Sequence, residues 1–319
     1  MNSVDAPAYS PAPEWSGRSD GPGPEHARWH SVIRPLDVDN PQAQPGVALL
    51  GFASDEGVER NHGRPGAAAG PEALRNALGS LAVHHEHVLY DAGTITTQDT
   101  DLEGAHERLS TSVEALSAAG HLPIILGGGH ETAFGSHRGA FRAKGPLKII
   151  NLDAHFDLRT ADVPTSGTPF KQISELVGRP DFDYTVLGIS RPNNTKVLFD
   201  EAADLGVTIS LDEELLTMNV EQLRAHAEQL CAGTAPIHLS IDLDVLPAAQ
   251  APGVSAPAGL GVDLPIIREL AVSIAATGRL ALVDVVELNP SFDLDNRTAK
   301  LAARLIDDIV TAHFSAVSD

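Results

Sequence analysis

A doubly wound, open α/β sheet is the fold class this 319-residue sequence predicts, and three observations predict it. Short apolar, β-branched runs recur along the chain: Val47 to Phe52, Leu122 to Leu126, Leu147 to Leu152, Tyr184 to Ile189, Val207 to Ser210, Ile237 to Ile241 and Ala281 to Val286. Such continuous runs suit strands buried on both faces. Segments with helical apolar spacing lie between them, and this alternation builds a parallel sheet with helices on both sides. Polar and acidic residues cluster just after several runs, where parallel sheets bind ligands beyond the carboxyl ends of their strands.

The elements follow in order. Residues 1–44 are rich in Pro, Ser, Gly and Ala and lack apolar periodicity, so a flexible N-terminal tail is expected there, with the catalytic domain spanning 45–319. Trp15 and Trp29 interrupt the tail and are its candidates for docking on the body or on a neighbouring subunit. Ser54 through Arg64 is a polar loop after the first strand, and Gly70-Pro71 opens a helix with Pro in its first turn. Val83 to Tyr90 reads as an edge strand. His85 and His87 would share one face of it and offer a second metal site, although solvated histidines are the default. Leu102, Ala105, Leu109, Val113 and Leu116 recur at helical spacing until Gly120 stops them. Helices are also expected over Glu131 to Arg142, Val220 to Cys231, Leu264 to Ala275 and Leu294 to Val310. Leu246 through Gly259 is a Pro/Gly/Ala loop too apolar for a linker.

Composition narrows the function. Lys+Arg 22 against Asp+Glu 43 gives a formal charge of -21, which argues against nucleic acid and anionic membranes as partners. Basic residues near a site are then specific devices. A single cysteine, Cys231, excludes an intrachain disulfide and suits a reducing cytoplasm. The start of the chain lacks the basic and apolar segments of a signal peptide. No apolar run approaches the ~20 residues that span a bilayer.

Three strand ends carry the chemistry. His130 follows Gly127-Gly128-Gly129. Asp153, His155 and Asp157 follow the run to Leu152. Asp242 and Asp244 follow the run to Ile241. Four carboxylates packed together repel and raise one another's pKa. Two divalent cations would cancel their charge, so a two-metal hydrolytic site is the leading reading. Carboxylate and imidazole without thiolate suit hard or borderline ions. Mn²⁺ fits best, Zn²⁺, Co²⁺ or Fe²⁺ could substitute, and Mg²⁺ fits less well because it keeps its waters.

The segments Gly-Gly-Gly-His130, Asp153-Ala-His155-Phe-Asp157, Ser240-Ile-Asp242-Leu-Asp244 and Glu287-Leu-Asn289-Pro290 resemble the signatures of the ureohydrolases: arginase, agmatinase and formimidoylglutamase. The resemblance runs in order from about Val47 to the last helix. It implies a three-layer α/β/α fold with an eight-stranded parallel sheet and two Mn²⁺ per subunit. It makes His130 and Asp157 ligands of one ion, His155 and Asp244 ligands of the other, and Asp153 and Asp242 bridges. A hydroxide between the ions would be the nucleophile, and the protein would be a homo-oligomer.

Departures from the family pattern guide the substrate reading. Gly129 stands where many members have Asp. Phe170 takes the place of the arginase loop histidine, so that proton shuttle does not transfer. Arg159 and Arg191 stand where arginase has a polar Asn and acidic residues. These changes point to the formimidoylglutamase branch. Its substrate, N-formimidoyl-L-glutamate, carries a cationic amidine and two carboxylates. Glu287 is then the acid for the amidine, and Arg159 and Arg191 are the carboxylate forks. Asn194 is a further substrate-binding candidate and Lys171 another of the same kind. Asp157 is the candidate proton carrier. The expected reaction gives L-glutamate and formamide. The rivals are an agmatinase or guanidino-acid hydrolase releasing urea and, further off, a single-zinc deacetylase of related fold or a metal-binding pseudoenzyme.

Overall fold

The computed structural model describes residues 7–317. Its strands are β1 (Tyr9–Ser10), β2 (Arg34–Pro35), β3 (Val47–Ala53), β4 (Leu89–Thr96), β5 (Leu122–Leu126), β6 (Lys148–Leu152), β7 (Asp183–Ile189), β8 (Thr208–Leu211), β9 (Ile237–Asp242) and β10 (Leu280–Val286). They form one sheet in the order β1-β4-β3-β5-β10-β9-β6-β7-β8, with β2 also on β4. The eight strands from β3 to β10 pair in parallel throughout. Only the two-residue β1 runs antiparallel.

Alternation along the strands builds the layers. In β3, Val47 and Leu49 face one side of the sheet and Ala48, Leu50 and Phe52 the other. Helices Gly70–Gly79, Val220–Leu230, Leu264–Ala275 and Arg297–Val317 cover the first side. Helices Leu102–Ala118 and Thr132–Lys144 cover the second. This is the three-layer architecture with eight parallel strands that the sequence predicts.

The N-terminal stretch departs from expectation. From Pro7 onward it lies along the body; the first six residues of the expected tail lie outside the described residues. Trp29 is fully buried in the main core and donates to Asp307 at 2.8 Å. Trp15 donates to Asp91 at 2.8 Å, and β1 and β2 both add to β4. A low average of apolar residues hides this, because two indoles with partners for their N–H groups supply the anchoring area. The expected strand at Val83 to Tyr90 is also corrected: pairing begins at Leu89, and β1 and β2 cover β4. The last helix begins at Arg297, not Leu294, because Asp293 caps the amides of Thr298 and Ala299 at 2.8 and 3.0 Å.

Buried histidines make the fold acid-sensitive, His106 and His313 among them. His106 donates from Nε2 to the carbonyl of Glu131 at 2.9 Å. Burial, aided by the nearby Arg138 charge, lowers its pKa to about 4; burial lowers that of His313 to about 4 as well. The unfolded chain binds these protons near pH 6.5 and the folded chain only near 4, so stability is complete above 6.5 and is lost as pH falls through that window. His106 alone should cost the wild type about 2 kcal/mol relative to His106→Gln between pH 7 and 5. Urea midpoints of both proteins across that range test this, and a gap that does not change with pH would contradict it.

Candidate metal centre

Four adjacent strands of the sheet, β5, β10, β9 and β6, deliver the site from their carboxyl ends. His130 follows β5, Glu287 follows β10, Asp242 and Asp244 close β9, and Asp153, His155 and Asp157 follow β6. Chain order and spatial order differ here, since β9 and β10 are inserted between β5 and β6. That inversion gathers segments more than a hundred residues apart into one crevice.

Local geometry explains the residue types. A Cβ at Gly128 would sit 1.7 Å from the carbonyl oxygen of Ser54, so only glycine lets the β5 turn pass this close to β3. Asp157 and Glu287 both hold left-handed backbones, with φ of 50° and 68°. For residues with a Cβ this costs on the order of 1 kcal/mol each. Surrounding hydrogen bonds fix both: the Asp157 carbonyl accepts from Phe170 at 3.2 Å, and the Glu287 amide donates to Gly128 at 2.8 Å.

Nδ1 of His130 lies 3.1 Å from Asp153, 3.0 Å from Asp157 and 3.1 Å from Asp242. A ring N–H can point at one acceptor only, and this nitrogen makes no hydrogen bond at all. Three oxygens equidistant from one nitrogen suit a coordination shell: ligands at about 2.1 Å from a shared ion lie about 3 Å from one another. A second group joins Asp153, His155 and Asp244, with His155 Nδ1 3.1 Å from Asp244 and 3.6 Å from Asp153. The two groups share Asp153, and the donor set is all imidazole and carboxylate. The residues present therefore fit a binuclear metal site.

Outer partners aim these ligands. Ser240 Oγ lies 3.0 Å from His130 Nε2. Asp153 accepts from Asn151 at 2.9 Å and from the His155 amide at 2.7 Å. Asp242 accepts from the Asp244 amide at 2.8 Å. Phe170 is buried and edge-on to His130, 5.3 Å between centroids, and stacks on Tyr184. It is a buttress for the imidazole.

The electrostatics fit cations too. Burial, then Asp244 and Asp153, push the Asp242 carboxyl well up. Burial, then Glu131 and Asp244, push Glu287 up to about 8. Burial disfavours charge on His130 and His155, yet the carboxylates beside them outweigh it and raise both. Too many buried acids share too little positive charge.

A cavity of about 310 Å³ opens over the ligands. Glu287 reaches it: Oε1 accepts from the His130 amide at 2.9 Å, while Oε2 is buried without a partner. Arg159 lines the cavity from an exposed position, and its guanidinium has no ion-pair partner among the described residues. The other sequence-based candidates lie differently. Arg191 is outside the lining, its side chain 63% exposed and 3.5 Å from Glu213. Asn194 lines the cavity, but its amide is committed: it donates to Ala154 and Ser190 at 2.8 and 2.9 Å and accepts from Phe156 at 3.2 Å. It holds the ligand loop. Lys171 pairs with Glu201 at 2.7 Å, away from the cavity. His85 and His87 lie 5.2 Å apart with their rings tilted by 33°, but form no group of three ligands among the described residues.

Sequence reasoning missed Glu131, which is fully buried beside Glu287's turn and raised to about 7 by burial. It also missed the wall residues Ser166 and Ser255. An acid inside a glycine-rich turn is the signal that was available for Glu131. Asn61 donates to Ser166 at 3.2 Å across two loops, a contact with no trace in local sequence.

The fold and site together define a metal-dependent enzyme architecture with a two-cation centre at the carboxyl edge of a parallel sheet. The Arginase family model matches residues 45–311. The chain is 53% identical to formimidoylglutamase of Corynebacterium efficiens over 95% of this chain and 96% of that one. It is 49% identical to formimidoylglutamase of Rhodococcus opacus over 96% and 98%. Among solved structures, Trypanosoma cruzi formiminoglutamase with Mn²⁺ superposes with a TM-score of 0.77 at 28% identity, covering 84% of this chain and 93% of that one. The chain belongs to the arginase family.

Proposed function

We propose that the protein hydrolyses N-formimidoyl-L-glutamate to L-glutamate and formamide, with two Mn²⁺ per subunit held by His130, Asp153, His155, Asp157, Asp242 and Asp244. The observation that carries this reading is the cavity itself: an unpartnered buried acid, Glu287 Oε2, next to the ligand cluster, and at the wall two guanidinium groups, Arg159 and Arg64, without an ion-pair partner among the described residues. High identity to relatives named formimidoylglutamase supports the same substrate. When bound, the two cations would supply Lewis acidity and a water of lowered pKa.

The chain's own residues do the rest. Glu287 Oε2 takes the cationic amidine and holds it over the ligand cluster. Arg159 forks onto one carboxylate. With Arg191 turned away and the Arg64 guanidinium engaged by the Ser255 and Val254 carbonyls, the second carboxylate falls to neutral donors on the rim, Asn61 and Ser166. Asp157 lines the cavity and is 9% exposed; it accepts a proton at Oδ and passes it to the departing nitrogen of glutamate.

Arg159→Ala should raise KM for N-formimidoylglutamate roughly 10–100-fold, the worth of a hydrogen bond between charged groups, with kcat little changed. Steady-state kinetics read the split, and an unchanged KM would remove Arg159 from the site.

The reaction is tested by loading the purified protein with Mn²⁺ and assaying N-formimidoyl-L-glutamate, agmatine and arginine side by side. Formamide and glutamate from the first alone establish it. Urea from either of the others keeps the metal chemistry and overturns the substrate. Among the described residues no helix is long and apolar enough to cross a membrane. We read the enzyme as cytoplasmic on its single cysteine and as a homo-oligomer on the family resemblance, and light scattering of the purified chain tests the assembly.

A further inference from the structure

We propose that Glu131 is a positioning residue that locks the cavity wall formed by residues 54–64 to the turn carrying His130. The inference rests on the proposed hydrolysis, and its test separates the two. Glu131 is fully buried. Its Oε1 accepts two hydrogen bonds from the segment that follows the neighbouring strand β3, from Ser54 Oγ at 2.9 Å and from the Gly57 amide at 3.1 Å, beside the backbone bond from the Gly129 amide to the Ser54 carbonyl at 3.0 Å. Beyond Gly57 the same loop sends Asn61, His62, Gly63 and Arg64 into the lining of the cavity.

The surroundings are fitted to this carboxyl. A Cβ at Gly57 would lie 2.6 Å from Glu131 Cδ, and one at Gly129 only 2.1 Å from Glu131 Oε2. Neither glycine has a positive φ, so the backbone there would accept a side chain. The carboxyl occupies the room at Gly57, and shares it with the Val58 side chain at Gly129. Three residues in two loops are thus shaped around one buried acid.

The lock reaches a second wall. The Gly57 carbonyl accepts from the Ser166 amide at 3.0 Å, and Ser166 Oγ accepts from Asn61 at 3.2 Å. Releasing Glu131 therefore loosens the loop carrying Asn61 and Arg64 and the loop carrying Ser166 together. The ligand cluster keeps its own supports in Asn151, Ser240 and the Asp244 amide. The loss belongs in substrate binding.

The experiment compares Glu131→Ala, Glu131→Gln and Ser54→Ala with the wild type, all loaded with Mn²⁺, on whichever linear amidine the wild type hydrolyses. Wild-type product identity decides the reaction; the variant-to-wild-type ratios decide Glu131. Glu131→Ala should raise KM roughly tenfold or more, with kcat within roughly threefold and metal content unchanged. Glu131→Gln should keep KM near wild type, because its Oε1 accepts both donors. Ser54→Ala, which removes one of the two, should raise KM a few-fold, roughly the worth of one hydrogen bond. An unchanged KM in Glu131→Ala overturns the proposal. So does a loss confined to kcat or metal content, which would mean that the carboxyl acts on His130. Should Glu131→Ala fail to fold, Ser54→Ala decides alone, and a wild-type KM there overturns it.

Discussion

Asp153→Asn is expected to cut turnover roughly 10³-fold and to strip the protein of tightly held Mn²⁺. Asp153 is the one residue in both ligand groups, so a single atom change weakens the hold on both ions. Its two oxygens already have duties. One accepts from Asn151 at 2.9 Å and the other from the His155 amide at 2.7 Å. An asparagine must place its NH₂ against one of these donors, whichever way it turns. That leaves a buried donor unsatisfied, at a cost of about 1–3 kcal/mol. The side chain is fully buried, so water cannot repair the mismatch.

Loss of a mere outer partner lowers metal affinity roughly 10–100-fold, and loss of a shared ligand should exceed that. Turnover should fall by roughly 10³-fold, about 4 kcal/mol of transition-state stabilisation. Stability should follow the metal. An ion at a thousand times its dissociation constant adds about 4 kcal/mol, which for a domain this large lifts Tm on the order of 10 °C. The wild type should show that rise on adding Mn²⁺ and Asp153→Asn should show little of it. Calorimetric titration, metal analysis and melting curves read the three effects. A variant that keeps two ions per chain and a tenth of the activity would refute the shared-ligand arrangement.

The cluster of candidate ligands was legible in sequence for a physical reason. Each follows a strand buried on both faces, and a run of Val, Ile and Leu announces where such a strand ends. The same rule misled at Arg191. It follows β7 just as Asp153 follows β6, but β7 lies outside the four strands that converge on the crevice. Pro192 starts a tight turn there, and the guanidinium ends in solvent beside Glu213. Position along a strand is local information; position across the sheet is not. Asn194 illustrates a second limit. Its type suggested substrate contact, but three backbone groups claim its amide, and only coordinates reveal such saturation. The docking of Trp29 on Asp307 joins residues 278 positions apart, beyond the reach of any windowed pattern.

Glu287→Gln should lower kcat/KM by roughly 150- to 5,000-fold, the range that follows from breaking a buried charge pair worth about 3–5 kcal/mol. The substitution is nearly isosteric, and the structure separates its two oxygens. Oε1 accepts from the His130 amide at 2.9 Å and serves the fold. Oε2 is buried and free of protein partners, so it is the atom left for substrate. Glutamine can keep the first contact through its own Oε1. Its NH₂ then faces the cavity, where a cationic amidine also presents N–H groups, and donor meets donor.

Glu287 belongs to neither ligand group, so metal content should stay at the wild-type level. That distinguishes this variant from Asp153→Asn, in which activity and metal fall together. The left-handed backbone at Glu287 strengthens the argument. A strained conformation persists where its surroundings over-determine it, and here it directs a costly buried acid into the cavity over the ligand cluster. Metal analysis beside steady-state kinetics checks the prediction. Activity within tenfold of wild type, with metal retained, would mean that the amidine draws its counter-charge from the ligand carboxylates and that Glu287 serves only the turn at His130.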